Sequence, residues 1–141
     1  LGVDESVVRR RLRRLERAVR VLRELRALGP AVFLHDEGVQ DRAERNAQLA
    51  AQTCADVALH IVAALGRSAP ETYADAIVEL AKAGVITEEL VAPVSGAVRL
   101  RNLLVHEYLE VDHARLFDEL SWVDATAMFA EQVERWMETH R

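Results

Sequence analysis

Two stretches of this chain repeat apolar residues at alternating spacings of three and four, and no other feature restricts the fold as much. Val8, Leu12, Leu15, Val19 and Leu22 form the first series, and Ala43, Ala47, Ala50, Cys54, Val57, Ile61 and Leu65 form the second. A helix turns about 100° per residue, so each series closes into one apolar seam. The first helix is predicted over about 4–28, with Asp4 or Ser6 as its cap and Gly29-Pro30 as its stop. The second is predicted over about 41–65. Ala51, Ala58 and Val62 widen its seam with side chains small enough to let neighbouring helices approach closely.

The remaining segments follow the same period. Residues 31–40 read as a connector with a short helical turn. A third helix is expected over about 70–83, with Ser68 and Glu71 at capping-box spacing, Tyr73, Ile77 and Leu80 buried, and Gly84 as its stop. Thr87 followed by Glu88-Glu89 opens the next segment, because acids in a first turn suit the helix dipole. Pro93 lacks a backbone donor, so a kink there is expected, or a break with the helix restarting near Val94; Gly96 weakens the same point. Asp112 can cap a turn carrying Leu116, Phe117 and Leu120. Ser121-Trp-Val-Asp124 has the cap spacing for a last helix with Trp122, Ala125, Phe129, Val133 and Trp136 on its apolar side. Strand-like alternation never lasts and no hairpin dipeptide occurs. The expected fold is all-α, a compact bundle of about five helices in one domain over 1–141.

Composition narrows the function classes. Half of the 141 residues are apolar and 29% are charged, the balance of an ordinary globular chain. No apolar run approaches the length that spans a bilayer, so no membrane partner is expected and the cytoplasm is the expected location. The single cysteine, Cys54, reads as core packing rather than as a redox group. A net charge of −5 argues against indiscriminate coating of nucleic acid. The charge is uneven, since nine arginines face four acids in residues 1–26, a local +5, and the remainder carries −10. Arg9, Arg13, Arg17 and Arg20 follow one flank of the first helix. They read either as a solvated face or as a basic track for RNA or an acidic partner.

Residues 96–112, Gly-Ala-Val-Arg-Leu-Arg-Asn-Leu-Leu-Val-His-Glu-Tyr-Leu-Glu-Val-Asp, concentrate the polar chemistry. On a helix Leu100, Leu103 and Leu104 share one face, while Arg99, Asn102 and His106 share another. Arg101, Val105 and Tyr108 form a stripe between them. An apolar strip thus anchors a guanidinium, an amide, an imidazole and a phenol, a set able to hold a phosphate and move a proton. Elsewhere, His35-Asp36 reads as exposed or locally hydrogen-bonded rather than as a metal pair. His60 reads as a packed histidine beside Asp56 and Gln52.

Arg101-Asn102, with four residues between Arg101 and His106, resembles the Arg-polar-(four to six residues)-His motif of HEPN domains. Tyr108, two residues after that histidine, makes the wording similar to the HepT-like subgroup, the toxin half of the HepT/MntA toxin–antitoxin module. The resemblance implies a helical bundle with its motif late in the chain, working as a homodimeric, metal-independent ribonuclease of a type VII system, with no cofactor. It implies that Arg101 and His106 are catalytic, that Asn102 orients His106, and that Tyr108 accepts adenylyl groups from a separate MntA-like nucleotidyltransferase antitoxin. Arg99 is a phosphate contact that the motif itself does not demand.

Geometry supplies a reason for the dimer. Five positions on a helix place Arg101 and His106 about 140° apart, so one copy cannot easily aim both at one atom, whereas two copies across a two-fold axis can. Histidine titrates in the range for removing the 2′-hydroxyl proton or protonating a leaving oxygen, and arginine can brace the charge on phosphorus. Other readings of the same residues stay open. Arg101 could pair with Glu107 or Glu110 while His106 merely lines an interface, and the chain could be a noncatalytic nucleotide-binding or adaptor module that docks a nucleotidyltransferase.

Overall fold

The computed structural model describes residues 2–104 and 111–140, with the side chains of 102–104 outside that description. Seven α-helices lie in this region: α1 (Glu5–Ala27), α2 (Pro30–His35), α3 (Glu37–Ala64), α4 (Tyr73–Lys82), α5 (Val91–Leu104), α6 (His113–Glu119) and α7 (Val123–Thr139). Single 3₁₀ turns, Glu88–Leu90 and Leu120–Trp122, lead into α5 and α7. No strand occurs among the described residues. The all-α bundle is as expected: α1, α3, α4, α5 and α7 are the longer helices, and α2 and α6 are short corner pieces. No described helix is long and apolar enough to cross a membrane.

The seam of α1 is buried along its whole length, with Val8, Leu12, Leu15, Val19 and Leu22 all at most 4% exposed. It packs on α3 and α7. Helix α3 is the central element, contacting α1, α4, α5 and α7. Ala43, Ala47, Ala50, Ala51, Ala55 and Ala58 are buried on it, and so is Cys54, whose thiol pKa burial pushes up. One buried cluster draws side chains from all seven helices. Polar ties reinforce the packing. Arg9 pairs with Glu134 of α7, Arg11 Nη1 lies 3.2 Å from Asp56 of α3, and Arg23 lies 2.9 Å from Asp124 of α7.

Several boundaries differ from the sequence reading, each for a local reason. Helix α3 starts at Glu37 because Asp36 caps it, its Oδ1 accepting from Val39 N at 3.1 Å. The buried Gln40 amide donates to the Phe33 carbonyl at 2.9 Å, which fastens α2 to this first turn. Helix α4 starts at Tyr73 rather than Pro70, since Thr72 Oγ1 accepts from Asp75 N at 3.1 Å in place of the expected Ser68 cap. Tyr73, expected in the core, is half-buried.

Pro93 causes no break. It sits in the first turn of α5, where backbone N–H groups have no intrahelical acceptor and a missing donor costs nothing. Ser121 makes no cap, because residues 120–122 form a 3₁₀ turn and Asp124 instead binds Arg23 and Arg26. Asp112 does cap α6, accepting from Arg115 N at 3.1 Å. His60 is half-buried, as expected, but its hydrogen-bond partner is a distant backbone amide rather than Asp56 or Gln52. Its Nε2 accepts from Asp4 N at 3.2 Å, while Gln52 donates to Asp56 at 2.8 Å.

Candidate functional site

Helix α5 supports the polar stretch. Val94, Ala97, Val98 and Leu100 are at most 6% exposed and hold the helix against α3 and α4. Arg99 therefore faces outward and is exposed, and Arg101, two positions on, is half-buried. Two helical positions separate their directions by about 200°, so these guanidinium groups serve different sides of α5. Asn102 belongs to α5 by its backbone, but its side chain is not described. His106 and Tyr108, with Glu107 and Glu110, lie outside the described residues.

Beside Arg99 is a cleft of about 550 Å³ between α3, α5 and the start of α4. Leu59, Val98 and Pro70 form its apolar walls, and Glu71, Thr72, Tyr73 and Arg99 give it polar edges. Sequence reasoning assigned Arg99 to phosphate contact but missed this neighbour, since Tyr73 was placed in the core. The signal that could have found it is the Thr72-x-x-Asp75 cap, which puts Tyr73 at the first helical position, at the end of the core seam, where it is only half-buried.

The far side of the motif is anchored as well. After Asp112, His113 Nε2 lies 3.4 Å from Glu44 of α3, Leu116 is buried, and the Phe117 ring packs on Phe33 of α2 at a centroid separation of 5.2 Å. The stretch carrying His106 and Tyr108 thus enters from a helix seated on α3 and leaves into a helix pinned to α2 and α3. Among the described residues no group of three His, Cys, Asp or Glu side chains converges as a metal site would. Asp36 is engaged as the cap of α3.

Comparison with known proteins gives this geometry a context. Over residues 15–133 the chain matches the family model described as ribonuclease HepT-like. It is 31% identical over 97 residues to a tRNA nuclease HepT of Aphanizomenon flos-aquae, an alignment covering 68% of this chain and 66% of that protein. To an mRNA nuclease HepT of Shewanella oneidensis it is 32% identical over 80 residues, covering 57% of this chain and 60% of the relative. The chain thus spans somewhat under two-thirds of the length of these curated relatives. In structure it resembles a tri-AMPylated HEPN toxin of Shewanella oneidensis solved with its MNT antitoxin, at a TM-score of 0.82 and 22% identity over 92% of this chain and 97% of the other. That likeness is one of fold. With the family match extending across α5 and the whole Arg101–Tyr108 stretch, the chain belongs to the ribonuclease HepT-like family.

Proposed function

We propose that residues 1–141 act as one HEPN domain that pairs with a second copy and cleaves RNA without a metal ion, as the toxin of a type VII toxin–antitoxin pair. The observation that carries this reading is the family match over 15–133, which includes every residue of the motif. The names of the relatives, tRNA nuclease and mRNA nuclease, support RNA as the substrate class. Arg99, exposed on α5, supplies a cation such a substrate needs.

In the proposed reaction the 2′-oxygen attacks the adjacent phosphorus, losing its proton to one His106 imidazole. The bond from phosphorus to the 5′-oxygen breaks, and that oxygen takes a proton from a second imidazolium. The products are a 2′,3′-cyclic phosphate and a free 5′-hydroxyl. Arg101 of both protomers braces the charge that builds on the non-bridging oxygens. Asn102, four positions before His106 in the sequence, orients its ring, and Arg99 holds a neighbouring phosphate. Silencing follows from adenylylation of Tyr108 by a separate MntA-like nucleotidyltransferase: an AMP phosphate there competes for Arg101 with the RNA backbone. The tri-AMPylated state named for the Shewanella oneidensis toxin supports this form of control.

The decisive experiment compares wild type with His106→Ala and Arg101→Ala on RNA in the presence of a chelator. Both variants are expected to lose at least a hundredfold in cleavage rate, the scale of removing a general base or a charge-stabilising donor. Circular dichroism and dimer mass should stay unchanged. Undiminished cleavage by His106→Ala would reject the mechanism. A chain that never cuts RNA but still binds a nucleotidyltransferase through this helix would favour the adaptor reading instead.

A further inference from the structure

Helix α1 carries nine arginines; apart from Arg20, which is exposed, the fold divides them into two groups of four. Arg9, Arg11, Arg23 and Arg26 turn toward the bundle and pair with Glu134, Asp56 and Asp124. Arg10, Arg13, Arg14 and Arg17 are exposed on the opposite side and, among the described residues, have no ion-pair or hydrogen-bond partner. Their spacing of i, i+3, i+4 and i+7 gathers four guanidinium groups into one stripe facing away from the buried seam. Each is a neighbour of another like charge one turn away, an arrangement that disfavours the helix. A chain of net charge −5 has ample acid to neutralise them, as it neutralises the inner group.

We propose that this stripe binds the phosphate backbone of the RNA substrate, away from the scissile bond, and so acts as a positioning track for the strand. The inference rests on the ribonuclease reading above and adds the part of the chain that holds the substrate. Members three or four positions apart, such as Arg10 and Arg13 or Arg14 and Arg17, are about one helical turn, roughly 5 Å, from each other along the axis, close to the separation of neighbouring phosphates along a strand. The chemistry favours a polyanion over a protein partner. Interface cores are apolar and depleted of charge, whereas this stripe is made of arginine alone with no large apolar side chain among its members.

The test uses the whole 141-residue chain and a labelled oligouridylate whose riboses are all 2′-O-methylated, so that binding is read without cleavage. Substituting Gln at Arg10, Arg13, Arg14 and Arg17 together should weaken binding at least tenfold in low salt. It should also flatten the slope of log affinity against log salt by about 3, near 0.7 for each of four phosphates on a single strand. The matching quadruple Lys variant, which keeps the charge, should retain most of the affinity and the original slope. On cleavable RNA the Gln variant should raise KM and leave kcat nearly unchanged, and its melting temperature should not fall.

Equal affinity and slope for wild type and the Gln variant would overturn the proposal. So would RNA binding that survives while capture of a nucleotidyltransferase is lost, which would make the stripe a protein-docking face. A wild-type chain that binds the methylated strand through these arginines but never cuts the unmodified one would sink the nuclease reading and leave the track standing.

Discussion

Phe33 is the residue through which the corner before α3 holds the segment after the motif. It is fully buried in α2, its ring packs on Phe117 of α6 with the planes tilted by 57°, and its carbonyl accepts from Gln40. Phe33→Ala removes the ring but keeps the carbonyl bond, so the loss reports packing alone. Emptying a buried aromatic site costs about 3–5 kcal/mol. In a domain of this size each kcal/mol moves the melting temperature by roughly 4 °C, giving a fall of roughly 12–20 °C. The aromatic pair itself should contribute about 0.5–1.5 kcal/mol of that total. Urea unfolding of Phe33→Leu, Phe117→Leu and the double variant isolates this part as a coupling energy. A Phe33→Ala loss below about 1 kcal/mol, or additive leucine variants, would refute the claim that α2 clamps α6.

Two further predictions follow from charge and backbone. The hydrogen bond from Arg23, reinforced by Arg26, holds the Asp124 carboxyl below its ordinary pKa of 3.8. Its contribution is therefore present above that value and disappears as pH falls through the lower folded-state value. Because Asp124 is more than half exposed and Arg23 nearly so, Asp124→Asn should cost less than about 1 kcal/mol at pH 7, and the difference from wild type should vanish in acid melts. A deficit that persists below pH 2 would point to packing instead. Gly84 closes α4 at φ +77°, with its N–H on Ala81 O at 3.1 Å and Val85 N on Leu80 O at 2.9 Å. A Cβ there meets no atom within 4 Å, so Gly84→Ala should cost about 1–2 kcal/mol of pure backbone strain, and Gly84→Asn less. Equal melting curves would show that the loop relaxes.

What was readable in the sequence is what depends on period. The α1 seam, the alanine face of α3, and the ends at Gly29, Gly66 and Gly84 all follow from apolar spacing and glycine placement. The misreadings arose where two local signals competed or a distant group intervened. Ser68 and Thr72 both offer a capping hydroxyl, and Thr72 forms the bond. Asp124 is claimed by two arginines about a hundred residues away, which no local rule anticipates. Asp36 starts α3 early because Val39 and Gln40 gain burial by it. At the site, the outward direction of Arg99 follows from the buried positions around it. The cleft at Tyr73 does not, because it exists only where α4 begins beside α5.

The alanines of α3 carry one more consequence. Alanine surrenders no rotamer freedom on burial and has no long arm with which to adjust, so helices resting on it are set by the backbone cylinder itself. Helix α5 rests on that cylinder, and so the placement of Arg99 and Arg101 is inherited from residues that do no chemistry. A methylene added on the inner face of α3 would act as a wedge, tilting an otherwise intact α5 and redirecting both guanidinium groups at once.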